Sequence, residues 1–519
     1  MNLLIEPLFR VRTPAGLKSL SLPGLLAALG EDAVDSLLGL QRHQEDAVHI
    51  FLCYLAGAVL ARGGITDPIQ PEAFWRDGLR QLAGRDDDCA WTLVVEDVTQ
   101  PAFMQAPLLS KQELNEFKAI CNSPDALDRL KTARNHDIKA SRAAYGDPDL
   151  WIYALISLQT MSGYSGGAGG YNGIARMNSG DGSRPCVSLH SSERLGLIFN
   201  REVARLLQIR QGLLNGHWRY DEKGLVLTWL PIIDRQSAIE ISKLDPFFIE
   251  VCRAVRLTRQ SANLCARIAT SKPRVIPKPV REQIKGSLGD PWIPINKKSG
   301  GALTIPKGGF SSRKIHEILF ENKAAEMQKA EPEQEKQNCW LYAAVTVGGR
   351  CKTEGFYSIN LPIPARVRPR LLRRGPELDR LENLSKTGLN DAAEMWSDVI
   401  RSALFTLLEA NEKNREAKEW INRTEQVFSY AWNQEFFAWL WSTVDIADTD
   451  AARLPWLQTL ERHARATLAD AIARFPARTG RYYRSRVRAN REFNYCLFKT
   501  FPELKEIAHA ERRRVANAG

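Results

Sequence analysis

Residues 361–376 read LPIPARVRPRLLRRGP, with four prolines and five arginines in sixteen residues. Proline fixes φ and lacks a backbone donor, so this composition favours an extended connector over a helix or a central strand. Beyond the connector, residues 389–454 contain neither proline nor glycine. The stretch therefore predicts an N-terminal domain over residues 1–376 and a C-terminal domain over residues 377–519.

The C-terminal domain shows a helical pattern. Apolar residues recur there every three or four positions, as at Trp396, Ile400 and Ala403. The pattern predicts four helices, near 389–412, 414–444, 449–474 and 480–514. Helices joined by such short loops are expected to form an up-and-down four-helix bundle, with their tryptophans in its core.

The N-terminal domain mixes both types of secondary structure. Residues 3–12 and 90–98 are predicted as strands, and residues 22–39 and 42–62 as helices. From 224 to 360, strand-like and helical pieces alternate with frequent proline and glycine. The predicted fold class is therefore α+β: a large irregular mixed domain followed by a C-terminal four-helix bundle.

Cysteines and histidines carry no recognisable metal or redox motif. The nine cysteines include no CxxC, and the eight histidines form no HExxH or HxxxH. We therefore expect no metal, no cofactor and no clustered carboxylate–histidine site for catalysis, and we expect buried thiols in a reducing cytoplasm. The most apolar stretch, 49–61, is shorter than the roughly 20 residues that span a bilayer and is predicted as a core helix without a membrane partner.

The formal net charge of +11 is unevenly distributed. Residues 253–285 hold nine basic residues against one acid, and residues 471–519 hold twelve against four, so each window is net +8. The rest of the chain is net −5, since +11 less twice +8 leaves −5. Focused positive charge favours nucleic acid as a partner, because each neutralised phosphate releases counterions. The alternative is two solvated basic faces.

A glycine-rich segment, MSGYSGGAGGYNGIARMNSGDGSRP, occupies residues 161–185. It matches neither GxxxxGK[ST] nor GxGxxG, so both nucleotide fingerprints fail. Gly163–Gly167 matches GxSxG around Ser165, but no helix-forming sequence follows, as a nucleophile elbow requires. Glycines here would let the backbone enter a narrow space such as a DNA minor groove. A surface loop without a ligand is the alternative.

A second candidate loop interrupts residues 340–364. WLYAAVTV and FYSINLPIP flank a polar segment, GGRCKTEG, at 348–355. This pattern predicts a strand, a polar tip and a second strand. Such a hairpin could insert long polar side chains between nucleic-acid strands, or it could end in solvent.

These segments together resemble the CasA family, the large subunit of the type I-E CRISPR Cascade complex. The resemblance runs along the chain through a series of motifs: MNLLIEPLFRVR (1–12), SLPGLLAAL (21–29), QPAFMQ (100–105), ALISLQT (154–160) before the glycine loop, ATSKPRVIPK (269–278), GDPWIPI (289–295) and GGRCKTEGFYSINLPIP (348–364). The order and spacing of the motifs carry the similarity, since no single one is diagnostic.

The resemblance implies a non-catalytic, cytoplasmic subunit of an RNA-guided antiviral defence complex. In such complexes the guide RNA reads target sequence by base pairing, and protein reads only the short flanking PAM. The implied partners are the CRISPR guide RNA, double-stranded target DNA and the other Cascade subunits: backbone, small and 5′-end-binding. A helicase-nuclease would be recruited to cleave DNA after the R-loop forms.

The resemblance also implies roles for particular residues. The glycine loop that enters the PAM minor groove would comprise Gly166, Gly167, Gly169 and Gly170. Basic DNA contacts would come from Lys272, Arg274 and Lys278. The wedge that starts strand separation would have its tip at Lys352, Thr353 and Glu354, where best-known members carry glutamine in place of Glu354. The loop at the guide RNA and adjacent subunit would include Asn135, His136 and Lys139.

The C-terminal basic window has two interpretations. Arg481, Arg484, Arg488 and Arg491 recur at three- and four-residue spacing, which places them on one helix face. They would contact the displaced DNA strand or the small subunits. Two functions compete with the Cascade hypothesis: a stand-alone nucleic-acid-binding protein without guide RNA, and a serine hydrolase using Ser165.

Overall fold

The computed structural model describes residues 1–128, 146–161, 183–233, 239–260, 263–269, 283–329, 338–349, 352–372, 375–475, 480–507 and 509, without the side chains at 348, 349, 352–354, 372 and 481. The chain forms two compact units. The α+β unit comprises Met1–Phe310 and Glu321–Pro362, and the helical unit comprises Ser311–Phe320 and Ile363–Gly519. The division falls after Pro362 rather than after 376, and 311–320 packs with the helical unit.

The helices of the α+β unit surround one apolar helix. In the described residues the helices are α1 Leu22–Gly30, α2 Glu45–Gly63, α3 Glu72–Ala83, α4 Pro124–Leu127, α5 Pro148–Met161 and α6 Leu195–Leu214. By length and composition α2 could cross a membrane, and it is the one such helix in the described chain. In the structure α2 is mostly buried within the unit, as expected for a core helix. It is longer than the apolar stretch 49–61 that predicted it.

Helix α1 illustrates how local sequence sets a helix start and packing sets its end. The Ser21 hydroxyl accepts a hydrogen bond from the Gly24 amide at 3.0 Å, and Pro23 lies in the first turn. The predicted helix over 22–39 nevertheless ends at Gly30, where an added Cβ would lie 2.4 Å from the Pro68 carbonyl oxygen. Close backbone packing at this glycine, rather than helix propensity, therefore coincides with the end of α1.

The strands form small sheets. They are β1 Phe9–Thr13, β2 Gly16–Leu20, β3 Ser36–Leu37, β4 Ala119–Cys121, β5 Cys186–His190, β6 Leu225–Leu227, β7 Leu244–Ile249, β8 Val255–Gln260, β9 Asn263–Ile268, β10 Cys339–Gly349 and β11 Lys352–Ile363. Their orders are β2-β1-β3, β11-β10-β5, β4-β9-β8 and β6-β7. This mixture of helices and short sheets confirms the predicted α+β class.

Two predicted strands differ from the observed structure. The strand predicted over 3–12 begins at Phe9, because Asn2 and Glu6 close a turn through the Glu6 amide and the Asn2 carbonyl at 2.9 Å. The strand predicted over 90–98 is wrong: Cys89–Trp91 is a 3-10 turn, and Thr92 makes only an isolated bridge to Asn2. Its alternating apolar residues fill the core from an irregular backbone.

The helical unit contains the expected long helices. They are α7 Ser312–His316, α8 Arg368–Leu372, α9 Pro376–Glu394, α10 Arg401–Leu408, α11 Arg415–Ser442, α12 Thr449–Arg474 and α13 Gly480–Thr500. A π-helical segment, Met395–Ile400, joins α9 to α10. The first long helix therefore starts at Pro376 rather than 389, and proline is well suited to a first helical turn. Helix α13 ends at Thr500 rather than 514, two residues before Pro502.

Tryptophans form the core of the helical unit, as the helical spacing predicted. The rings of Trp439 and Trp456 stack with centroids 4.8 Å apart. The Trp456 indole donates to the Gly388 carbonyl at 2.9 Å, and a Cβ at Gly388 would lie 2.6 Å from the Trp439 ring. The absence of a side chain at this glycine lets α9 approach the stacked indoles closely.

Candidate nucleic-acid interface and a buried polar cluster

The glycine loop lies between α5 and β5. Gly166, Gly167, Gly169 and Gly170 fall outside the described residues, as does Ser165. The described chain resumes at Ser183, whose carbonyl accepts the Ile305 amide at 2.9 Å, and enters β5 at Cys186. The loop therefore returns to the fold close to the first residue of a sheet strand.

The predicted hairpin is confirmed and shares this sheet. Strands β10 and β11 are hydrogen-bonded neighbours, and β10 also pairs antiparallel with β5. In the register, Ala344 lies opposite Cys186, so β10 continues for five residues to Gly349 beyond the start of β5. At about 3.3 Å per residue this is roughly 17 Å. The described residues on either side of the hairpin turn, and Ser183 after the glycine loop, therefore flank the same end of one sheet.

The residues predicted for the wedge tip are the first residues of a strand. Lys352, Thr353 and Glu354 begin β11. Their side chains, and residues 350–351 before them, lie outside the described part of the chain.

Lys272, Arg274 and Lys278, together with Asn135, His136 and Lys139, lie outside the described residues.

One basic residue of the 253–285 window is internal. Arg256, on β8, is fully buried, and its Nη1 atom donates to the carbonyls of Gln100, Gln105 and Ala106 at 3.1–3.3 Å. Burial lowers the pKa of Arg256 to about 10, so the guanidinium remains charged at neutral pH. The sequence interpretation of this window as a surface patch is therefore wrong for Arg256, whose charge holds a loop in place.

The C-terminal window, by contrast, lies on an exposed helix face. Arg484, Arg488 and Arg491 are exposed on α13 and form no ion pair within the described chain. The same stripe continues one turn later to Tyr495, which is 63% exposed. The opposite face of α13 is buried, with Phe493 at its centre. Arg481 starts the helix, but its side chain is outside the described part.

The structure also assembles a polar cluster that the sequence did not predict. It comprises His49 and Cys53 on α2, Ser188 on β5, Glu202 on α6 and Trp292. His49 Nε2 lies 2.7 Å from Glu202 Oε2 and 3.5 Å from Cys53 Sγ. The Trp292 indole donates to Glu202 Oε2 at 2.9 Å, and the Ser188 hydroxyl donates to Oε1. The one local signal was the HxxxC spacing, which places both side chains on one helix face.

Burial and charge oppose each other in this cluster. Burial disfavours ionisation of both His49 and Glu202, but attraction to neighbouring groups prevails. Attraction to Cys53 and Glu202 holds the pKa of His49 well above its usual value, and attraction to His49 holds the pKa of Glu202 well below. Burial raises the pKa of the Cys53 thiol. The three groups are therefore electrostatically coupled to one another.

A cavity of about 410 Å³ adjoins this cluster. His49 and Glu202 line it, together with His190, whose ring stacks on Tyr342 with centroids 5.1 Å apart. The Tyr342 hydroxyl donates to Asp46 Oδ1 at 2.7 Å, and burial raises the pKa of Asp46 to about 6. Titratable side chains of the α+β unit thus line one pocket.

Comparison with known proteins shows which solved structures share this architecture. No family model matches the chain, and no curated protein matches it. Among solved structures, this chain is similar to the CasA of Thermus thermophilus, with a TM-score of 0.61, 14% identity and coverage of 96% of this chain and 99% of that one. Cse1 from Acidimicrobium ferrooxidans matches with a TM-score of 0.62, 14% identity and coverage of 97% and 98%.

A third structure comes from an assembly. It is a chain from a structure titled CRISPR RNA-guided surveillance complex, with a TM-score of 0.53, 13% identity and coverage of 96% and 99%. At these identities the similarity establishes the fold. The chain has the CasA (Cse1) fold over almost its whole length.

Proposed function

We propose that this chain is the non-catalytic large subunit of a type I-E CRISPR Cascade complex. It would recognise the PAM in double-stranded DNA, start strand separation for the R-loop and help recruit the helicase-nuclease. The observation that carries this proposal is the CasA fold, shared over 96% of this chain and 99% of the Thermus thermophilus protein. The order of sequence motifs along the chain supports it independently.

The sheet geometry supports a common DNA site for the glycine loop and the hairpin. The described residues that flank both segments lie at the same end of sheet β11-β10-β5, although more than 160 residues separate Ser183 from Gly349 in sequence. In the proposed mechanism, Gly166, Gly167, Gly169 and Gly170 approach the PAM minor groove through their backbone. The degenerate base pattern of that groove suits contacts that tolerate several PAM sequences. Lys272, Arg274 and Lys278 would add phosphate contacts.

Strand opening would follow at the hairpin. Lys352, Thr353 and Glu354 would enter the duplex beside the PAM, and a two-stranded ribbon supplies a rigid support for them. Separating the first base pairs costs a few kcal/mol, which guide RNA pairing then offsets. Asn135, His136 and Lys139 would meet the guide RNA end and the adjacent subunit.

The exposed face of α13 supports a second contact. Arg484, Arg488 and Arg491 present positive charge, and Tyr495 offers an aromatic ring in the same stripe. Positive charge with interleaved aromatic rings binds single strands without sequence preference. We assign this face to the displaced strand, and binding of the small subunits there is the alternative outcome.

Reconstitution with and without guide RNA tests the proposal. We expect the chain to assemble with the other Cascade subunits and to confer PAM-dependent binding to duplex DNA only when guide RNA is present. Gel shifts on duplexes that differ only in the PAM would measure this. Tight, sequence-selective duplex binding by the chain alone would contradict the proposal and favour a stand-alone DNA-binding protein.

Loop and hairpin variants separate the two proposed steps. Gly167→Phe should weaken binding to the PAM duplex, because a side chain would keep the backbone out of the groove. Replacing Lys352, Thr353 and Glu354 with alanine should spare initial binding more than strand opening. Fluorescence of an unstacked 2-aminopurine beside the PAM reports opening separately from binding. Equal loss of both steps in both variants would contradict the division of roles.

A further inference from the structure

The buried polar cluster has a donor set that nothing in the proposed function uses. His49 Nε2, Cys53 Sγ and a Glu202 carboxylate oxygen all lie within 4.8 Å of one another. Imidazole, thiolate and carboxylate are the ligands that zinc prefers in proteins. Within the described residues this is the one such group of histidine, cysteine and acidic side chains.

The spacing of two donors already suits a tetrahedral ion. Bonds of about 2.05 Å to nitrogen and about 2.3 Å to sulfur, at a tetrahedral angle, separate the two ligand atoms by roughly 3.5 Å. The observed separation of His49 Nε2 and Cys53 Sγ is 3.5 Å. Nitrogen and oxygen ligands would be separated by about 3.3 Å. The Nε2–Oε2 distance of 2.7 Å would therefore lengthen by about half an ångström as the ion replaces the hydrogen bond.

Neighbouring groups already orient the carboxylate. The Trp292 indole on Oε2 and the Ser188 hydroxyl on Oε1 fix Glu202 from two sides. Both hydrogen bonds can persist when an ion takes the place of the His49 proton. Such contacts behind the ligands typically tune metal affinity by 10–100-fold, roughly.

The proposed ligands would neutralise a divalent cation. Neutral His49, ionised Glu202 and the Cys53 thiolate around a charge of +2 leave a net charge of zero. On binding, Cys53 Sγ gives up its proton to solvent and His49 Nε2 binds without one, because metal ligands must be deprotonated.

The adjoining cavity provides space for a fourth ligand of the ion. A tetrahedral ion with three protein ligands keeps a fourth position for water or another group. The 410 Å³ cavity borders His49 and Glu202 and gives an entry path and space for that ligand. His190 Nε2, 3.8 Å from Glu202 Oε1, lies nearby as a second candidate for the fourth position.

We propose that His49, Cys53 and Glu202 bind one divalent zinc-type cation, with the fourth coordination position facing the cavity. The site links α2 to α6 inside the α+β unit. Metal binding at this site does not depend on the proposed nucleic-acid function.

Cobalt spectroscopy on the full-length chain tests the site. The chelator-treated chain is titrated with Co²⁺, and the thiolate-to-cobalt charge-transfer absorption is measured. We expect saturation at one equivalent per chain, and loss of this band in Cys53→Ala. Zinc should compete for the site and raise the melting temperature of the wild-type chain but not of the variant, because a ligand that binds the native state stabilises it.

The matched control is Cys265→Ala. Cys265 is also buried, but its sulfur lies 3.1 Å from the Thr258 hydroxyl on β8 and not near His49. This variant should retain the charge-transfer band. Cys53→Ala should stay folded, since a buried cysteine behaves as a small apolar side chain, and circular dichroism without metal checks this.

A second variant tests the carboxylate. Glu202→Gln should keep the thiolate band but weaken cobalt affinity by at least about tenfold, because it removes one charged ligand. A band that survives Cys53→Ala, or no stoichiometric uptake by the wild-type chain, would overturn the proposal. The cluster would then be a hydrogen-bonded ion pair only.

Discussion

The two basic windows have the same net charge of +8 but different structural surroundings. In residues 253–285, Arg256 is buried and its guanidinium donates to three backbone carbonyls. In residues 471–519, Arg484 and Arg488 lie exposed on one helix face. Charge counted along a sequence therefore does not reveal how much of it a phosphate can reach.

The difference follows from the elements that carry the arginines. The first three residues of β8 are buried on both faces of the strand, and Arg256 contacts the loop at 100–106, while Arg259, near the end of the strand, is exposed. Helix α13 has one buried face and leaves the opposite one in solvent. We therefore expect Arg256 of the first window to contribute to stability and the exposed α13 arginines of the second window to contribute to single-stranded DNA affinity.

Replacing Arg256 should produce the largest effect, a loss of stability. Arg256→Met keeps most of the side-chain volume but leaves the Gln100 and Ala106 carbonyls without this donor. We expect the free energy of unfolding to fall by about 2 to 3 kcal/mol. Chemical denaturation of the purified chain measures this change.

Arg259→Met is the matched control for that variant. It removes the same charge from the same strand at an exposed position, so the free energy of unfolding should change by no more than about 0.5 kcal/mol. Equal destabilisation by both variants would show that position on β8, rather than burial, determines the effect.

The second-largest expected effect is on DNA binding by the exposed arginine stripe of α13. A triple variant, Arg484→Gln, Arg488→Gln and Arg491→Gln, should lower the salt dependence of single-stranded DNA binding. Each lost phosphate contact reduces the logarithmic slope by about 0.7, so the expected reduction is about 2. Fluorescence anisotropy at several salt concentrations measures the slope, and thermal unfolding should be nearly unchanged.

A control with equal loss of charge lies on α12. Arg462, Arg465 and Arg474 are ion-paired with Glu435, Glu461 and Asp470. Their triple replacement by glutamine should change the slope less than the α13 variant does. If both triple variants gave the same slope, net charge alone would explain the binding.

The smallest expected change, both in stability and in DNA binding, comes from removing the ion-pair partner of one arginine. Hydrogen bonds from Arg462 hold the pKa of Glu435 below its usual value, so the pair stabilises the fold above about pH 4.5 and loses this effect as the pH falls through the folded-state pKa. Glu435→Gln should lower stability at pH 7 by less than 1 kcal/mol, roughly, because solvent screens this half-exposed pair. The difference should vanish in acid, as pH-dependent melting curves would record.

The same variant should slightly strengthen DNA binding at neutral pH. Freeing Arg462 adds one available positive charge to α12, so the magnitude of the salt slope should rise by less than one. An unchanged slope would place α12 outside the binding surface and restrict that surface to α13.

Sequence patterns predicted part of this molecule because they depend on local geometry. Helical spacing predicted α11 and α12 within a few residues, and the run of apolar residues at 49–61 predicted the core helix α2. The prediction of a strand over 90–98 was wrong because its alternating apolar residues are buried without pairing in a regular sheet. The prediction of a surface position was wrong for Arg256 because the sequence of a short strand does not indicate whether a charged residue faces a loop or water.

The candidate DNA site was likewise predicted only in part from the sequence. Glycine content and flanking strands marked the loop and the hairpin, but the sequence did not show that Ser183, after the loop, and Gly349, before the hairpin turn, flank one end of a sheet. That juxtaposition depends on the pairing of β5 with β10, with Cys186 opposite Ala344. The roles that the resemblance to CasA implies for these segments stay predictions.

The sequence by itself determined the helical character of the C-terminal part, the central apolar helix and the presence of two concentrated basic windows. Tertiary structure alone decided which of the described arginines are exposed, which strands pair and which side chains meet across a long separation in sequence. His49 and Glu202 are 153 residues apart and lie 2.7 Å from each other. The physical reason is that periodicity reports the face of one element, whereas such contacts arise only when α2 and α6 pack together.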